Sequence, residues 1–347
     1  MKDIFSFLII LSAHQICLSQ INLTIDARQV TQFKLSEITE QSHYMTLKTD
    51  NNSPIFNTKV TDKFLFVQKN ILEMGAFKGE FMLYQYDLSG KLIRTFGNDK
   101  SRFSAFMCDL DNNKLIMIYN DSITVWDMNG RFLKTVRLPE RSDDKAPICQ
   151  VFGFSQNNVW ILQQTVQGSS LRCRISSINI ENEQQTRTIL ERNFPHPNQG
   201  SYFIPYRAWY SSFGGKSYIG FHDNEIYEVN GLQTRSFIKY TIGNYRVDPL
   251  DYARLEKEII GRFFHMKYGS FDNRKLFWYD IKDKRTWQVQ ENLSKGGIED
   301  DVFRTGTCDN YLIYGDYLTF IKKSDDLPKE MNIEKDHTVI FIIKLKQ

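Results

Sequence analysis

Beyond its first twenty positions this 347-residue chain has no apolar run long enough to cross a bilayer, which takes roughly 20 consecutive apolar residues. It has no real surplus of either charge. Its 44 Lys and Arg stand against 41 Asp and Glu, the two signs are interleaved, and +3 leaves no footprint for nucleic acid. It has five cysteines and no C-x-x-C pair, so the usual zinc-ligand spacing is missing. It also lacks a G-x-S-x-G elbow, a phosphate-binding loop, H-E-x-x-H and a dinucleotide fingerprint.

What is present begins with a leader. Lys2 precedes the apolar run Ile4 to Leu11, and Cys17-Leu18-Ser19-Gln20 follows. A basic start, a short apolar stretch and a small residue at the exit describe a secretory signal peptide over residues 1–19, cut after Ser19. The alternative is a lipid anchor on Cys17, which His14 and Ile16 fit poorly because such signals want small residues before the cysteine. The expected compartment is periplasmic or extracellular. Export leaves Cys108, Cys149, Cys173 and Cys308, with three possible pairings; buried free thiols are the plainer reading.

The rest of the chain repeats itself with a strand period. Leu83 to Thr95 and Ile123 to Thr135 share aromatic, Asp, Gly, basic and Thr positions at an offset of 40. Each copy alternates into Asp-x-x-Gly, where Gly supplies the positive φ of a tight turn, and a basic residue opens the next strand. Weaker copies follow at 226–231 and 277–286. Short aromatic or β-branched strands precede most of these hairpins. Four short strands every 40 to 50 residues is the period of a propeller blade.

The expectation is therefore an all-β chain, a single domain over 20–347. It would be a six-bladed β-propeller of four-stranded antiparallel blades near 55–97, 104–138, 148–191, 203–242, 260–290 and 303–347. The last blade offers three strands, and the N-terminal strand 43–48 closes it. Ala253, Leu255 and Ile259–Ile260 predict a short helix over 248–260, inserted between the fourth and fifth blades.

At this point the residues resemble the six-bladed β-propeller proteins widespread in Bacteroidetes. The likeness rests on Leu35-Ser36-Glu37-Ile38 leading to Tyr44-Met45-Thr46-Leu47-Lys48-Thr49, and on Tyr86-Asp87 with Gly90-Lys91. Asp223 to Tyr227 with Ile242-Gly243 and Pro249, Glu299-Asp300-Asp301, and the closing Asp336 to Lys346 complete it. The family's Gly-Pro-Gly-Glu loop is replaced here by Asn98 to Phe103, and its closing Asn-Pro-Val by His337-Thr338-Val339. The resemblance implies a fold and export, and no reaction.

Candidate chemistry is sparse. Asp109 to Asn113 imitates a calcium loop but lacks its central Gly and distal Glu, and reads as a turn. His222 falls in a turn between the second and third strands of the fourth blade, on the loop-bearing end. Tyr206-Arg207 and Arg262 are expected to start the inner strands of blades four and five, where an Arg can clamp a carboxylate bidentately or pair with a neighbouring blade. Arg102 lies in the loop after the first blade. Asp300 and Asp301 are adjacent on a strand, face opposite ways and cannot work as an acid–base pair by themselves.

Arg102, Tyr206, Arg207, His222 and Arg262 are thus the candidate ligand-binding residues. No catalytic residue, metal ligand or cofactor is assigned. The expected role is a monomeric binding module of the cell envelope, taking a glycan, a peptide or a partner protein. The alternative is a lyase- or lactonase-type enzyme with these arginines and His222 converging at the mouth of the central channel. The sensor portion of a larger signalling system fits less well.

Overall fold

The computed structural model describes residues 21–24, 30–31, 34–48, 54–73, 76–96, 103, 105–109, 112–119, 122–138, 148–155, 157–182, 186–195, 208–213, 216–221, 225–230, 232–241, 245–254, 258–265, 274–280, 285–289, 298–308 and 311–346. The expected leader at 1–19 lies outside them, as do Arg102, Tyr206, Arg207 and His222. No helix among the described residues is long and apolar enough to cross a membrane.

The described chain opens with β1 (Ile21–Thr24), β2 (Val30–Thr31), a one-turn helix α1 (Leu35–Ile38) and β3 (Thr39–Lys48). A sheet in strand order follows: β4 (Ile55–Val60), β5 (Phe64–Glu73), β6 (Ala76–Asp87) and β7 (Leu92–Phe96). The next contains β8 (Ala105–Asp109), β9 (Lys114–Ile118), β10 (Ser122–Asp127) and β11 (Phe132–Arg137). After it come β12 (Ile148–Ser155), β13 (Asn158–Gln167), β14 (Ser170–Asn179) and β15 (Thr186–Pro195). Neighbours in every one of these sheets are antiparallel.

The same pattern continues with β16 (Ala208–Phe213), β17 (Lys216–Phe221), β18 (Glu225–Asn230) and β19 (Gln233–Thr241). Then come β20 (Tyr245–Arg254), β21 (Glu258–His265), β22 (Arg274–Asp280) and β23 (Arg285–Val289). A two-stranded ribbon, β24 (Ile298–Asp300) and β25 (Gly306–Cys308), precedes β26 (Leu312–Tyr314), β27 (Tyr317–Lys323) and β28 (His337–Leu345). The strand expected at 43–48 is β3, and it pairs antiparallel with β28 from His337↔Lys48 to Leu345↔Thr39, making the last sheet four-stranded. The architecture is a β-propeller of four-stranded antiparallel blades.

The sheets pack side by side in chain order. Met45, Leu47, Ile340 and Ile342 of the last sheet interlock with Val60, Leu65 and Val67 of the first. Phe66, Leu83 and Phe96 meet Phe106, Cys108 and Leu115, while Ile116, Ile123 and Val125 meet Val151, Val159 and Ile161. Trp160, Leu162 and Ile175 then meet Ile219, Phe221 and Tyr227. Burying one such side chain contributes about 1.5–3 kcal/mol. From there β16 lies against β20, and β20 against β26.

Side-chain latches reinforce these seams. The repeat's basic position holds Arg94 against the β10–β11 turn at Gly130, and forty residues later Lys134 reaches Ile180 O and Glu181 of the third sheet. Gln85 Nε2 donates to Met128 O across the same first seam at 2.8 Å.

Three expectations need correction. The described residues of 248–260 do not form a helix: 248–254 end β20 and 258–260 start β21. The register of β20 against β21 jumps between Asp248 and Ala253. Pro249 lies in that jump, and a residue with no N–H to give the ladder belongs at such a bulge. The irregularity erased the two-residue alternation and let four apolar residues mimic a helical period. The fifth sheet consequently starts at Tyr245 rather than 260. Arg262 therefore stands on the second strand of that sheet, opposite Asp248 and Leu276, and not on the innermost one.

No side-chain pattern announces the N-terminal strand additions. β1 adds parallel to the outer edge of β19, β2 adds parallel to β23, and Lys34 bridges to Glu299 of the ribbon. β1 and β2 thus lie on the outer edges of the fourth and fifth sheets and Lys34 beside the ribbon, before β3 enters the last sheet.

Candidate functional site

Within each sheet the first strand is innermost, and successive strands run up and down. The turns from first to second strand therefore share one end of the ring. The connections from second to third strand, and from one sheet to the next, share the other. At the first of these ends, β26, β4 and β8 converge. Tyr314, the last residue of β26, reaches over β4 to the backbone of β8. Its hydroxyl accepts from the Cys108 N–H at 2.9 Å and donates to the Cys108 carbonyl.

Lys59 of β4 lies beneath this bridge. Its ammonium is 4.3 Å from the centroid of the Tyr314 ring and 5.1 Å from that of Phe106, inside the range for cation–π attraction. Among the described residues no carboxylate pairs with it, and the residue as a whole is partly buried. Burial therefore pulls its pKa down to about 8. Burial also pushes the neighbouring Cys108 thiol up to about 12. The thiol is thus neutral whenever Lys59 is charged and offers it no counter-ion.

The surroundings are rigid. Thr58, next to Lys59 and buried, shares a 2.8 Å hydroxyl–hydroxyl hydrogen bond with Thr319 of β27. Tyr317 donates to Asp62 Oδ1 at 2.7 Å, and burial, followed by that bond, raises its phenol pKa. Asp109 accepts from the Asn112 amide and side chain at 3.3 and 2.7 Å, and Asn113 has φ +53°, so the stretch that imitates a calcium loop does a turn's work.

Sequence reasoning passed over Lys59 and Tyr314. The available signal was a lone lysine in an otherwise neutral innermost strand, Ile55 to Val60. Its two ring partners are far away in sequence, however, and nothing local announces them. Of the residues singled out in the sequence, Arg102, Tyr206, Arg207 and His222 fall outside the described residues, and Arg262 is described in its backbone only.

Asp300 and Asp301 are accounted for separately. Buried Asp300 accepts from Phe303 N at 2.9 Å, Thr305 N at 3.1 Å and the Thr305 hydroxyl, closing the ribbon turn. Asp301 accepts from the N–H and hydroxyl of Ser36 at 2.9 and 2.5 Å, fastening α1. A groove of about 360 Å³ on the outer hairpin β18–β19 is lined by Glu228, Asn230, Gln233, Thr234 and Arg235. Its charges pair with each other, Arg235 to Glu228 at 3.0 Å.

No family model matches the chain, and no curated protein matches it. Among solved structures, a Bacteroides fragilis protein classed as exported superposes with a TM-score of 0.59 at 12% identity, over 95% of this chain and 100% of that one. The β-propeller domain of the Trilobed protease of Pyrococcus furiosus gives 0.43 at 12% identity, over 78% of each chain. Pyrococcus horikoshii acylaminoacyl peptidase gives 0.47 at 9% identity, over 79% of this chain and 44% of that one. At 12% identity the first likeness is one of fold.

Proposed function

We propose that this chain is an exported six-bladed propeller that serves as a binding module of the cell envelope, presenting a glycan, peptide or protein site at its loop-bearing end. The observation that carries the reading is the end-to-end likeness to a Bacteroides protein classed as exported, taken together with the leader-like residues 1–19. The count of six is supported by the sheets with four or more strands over 55–96, 105–137, 148–195, 208–241, 245–289 and 312–345 with 39–48. The strand ends bracketing 97–102, 196–207 and 222–224 all belong to the loop-bearing end. By sequence, Arg102, Tyr206, Arg207 and His222 belong to these connections. A rigid ring carrying function on its connections is the usual division of labour.

The test is a thermal-shift screen of the mature protein against glycans and peptides, since a ligand of the folded form must raise Tm. Arg207→Ala and His222→Ala should abolish the shift of any hit without lowering the unliganded Tm. Turnover of a uronate polysaccharide or a lactone by the same preparation would replace this reading with the lyase or lactonase alternative.

A further inference from the structure

We propose that Lys59 is the cation of a separate binding site for a small monocarboxylate, on the inner face of the ring at the end opposite the loop-bearing one. The ammonium is held by the faces of Tyr314 and Phe106, contributed by the sheets on either side of its own. Ring faces supply only quadrupolar negative charge and accept no proper hydrogen bond, whereas an ammonium has three donors to satisfy. Other lysines of the ring end on oxygen: Lys114 on Asn157 and Glu181, Lys134 on Glu181, Lys322 on Thr305 O and Lys346 on Ser36 O and Glu37 O. Lys59 has the same need, is as a residue only partly buried, and has no such oxygen among the described residues.

The surroundings choose the ligand class. The Tyr314 hydroxyl is committed twice to Cys108 and has nothing left to give an anion. One cation with apolar walls suits a single negative charge on an apolar body, and a phosphate dianion would need further donors. Benzoate and acetate are the natural probes. The titratable groups facing Lys59 do not compete. The Cys108 thiol titrates near 12, Asp109 is held by Asn112, and the Tyr314 phenol is hydrogen-bonded. Binding should therefore follow the protonation of Lys59 alone. It should weaken about tenfold between pH 7 and pH 9, as a group titrating near 8 loses its charge.

The experiment is a benzoate and acetate titration of the mature protein, read by thermal shift at constant ionic strength against chloride, with wild type, Lys59→Met and Lys59→Arg. A saturable rise in Tm at pH 7 is expected in wild type, about tenfold weaker in midpoint at pH 9, retained by Lys59→Arg and lost in Lys59→Met. A rise of equal size in Lys59→Met, or one matched by chloride, overturns the proposal. Should Lys59→Met fail to fold, the side-chain ¹³Cε titration of Lys59 in the wild type decides. Its pKa must rise when benzoate is added, and an unchanged pKa refutes the site. Either result leaves the loop-end reading standing, because no residue is shared.

Discussion

Replacing Gly130 and Gly90 by alanine, separately and together with Arg94→Ala, isolates one inter-sheet latch. Both glycines occupy the same turn position of the repeat, with φ of +84° and +91°. An L-residue there costs about 1–2 kcal/mol, partly offset by about 0.5 kcal/mol from the stiffer unfolded chain. Space separates the two positions. A Cβ on Gly90 would meet only Met45, at 3.9 Å, an ordinary contact. A Cβ on Gly130 would sit 1.7 Å from Arg94 Nη1, 2.7 Å from its Cζ and 2.8 Å from its Cδ. Since the stem as well as the tip collides, rotating the guanidinium is not enough, and Arg94 must leave the seam. Its Nε is buried without a hydrogen-bond partner, so what departs is chiefly packing, worth about 1 kcal/mol. Gly90→Ala should thus cost about 1 kcal/mol and Gly130→Ala about 2, a difference of roughly 2 °C in Tm for a chain of this size. In the Arg94→Ala background the two should cost the same. Equal costs beside wild-type Arg94, or a gap that persists without it, would show that this latch contributes nothing.

Other outcomes follow from single elements. Asp300→Ala should destabilise by about 2–4 kcal/mol, because three donors of the ribbon turn lose a buried carboxylate; Asp301→Ala, at the more exposed clasp on Ser36, should cost under about 1.5 kcal/mol in the same denaturant assay. Deleting residues 20–33 should raise amide exchange at 238–241 of β19 and 288–289 of β23, the positions that β1 and β2 pair with, and leave β13 protected. Burial lowers the His43 pKa, so the folded state resists protonation. The stability this group contributes is complete above its unfolded value near 6.5 and is lost as pH falls through that region. Tm should therefore drop between pH 7.5 and 5.5, and His43→Gln should flatten the drop. Native Cys108 should resist iodoacetamide at pH 8 and react only on unfolding, since its thiol titrates near 12.

How much of this was legible in the sequence depended on the distance over which each feature is built. The hairpin repeat closes within five residues, and it reproduces contact by contact. Asp87 accepts from Lys91 N at 2.9 Å and Asp127 from Arg131 N at 2.8 Å, while Gly90 N and Gly130 N donate to the Asp carbonyls at 3.1 and 2.9 Å. Strand closure by β3 was also readable, because Met45 and Leu47 alternate with exposed Tyr44 and Thr46 and found no nearer partner. The bulge at Pro249 defeated the alternation rule at the one place where the ladder itself is broken. The parallel additions of β1 and β2 consist of four and two backbone pairs, too short for any side-chain period to record. Tyr314 and Cys108 are 206 positions apart, so their meeting belongs to the closed ring and to no segment of it.

That ring-level character bears on where function can reside. At the Lys59 end the last sheet is tied to the first two by Tyr314 with Cys108, both on strands, and by Tyr317 with Asp62 of the short β4–β5 turn, so geometry there is set by the fold. At the other end the strands deliver their longest connections, 139–147 and 196–207 among them. Connections can change sequence without disturbing the seams. A chain with these two ends can keep one pre-formed anion site under the inner strands and still alter its larger ligand by altering loops alone. The N-terminal run from β1 to β3 fits the same division. It closes the outer edges of the fourth and fifth sheets and completes the last, removing edges that would otherwise invite strand pairing with other chains.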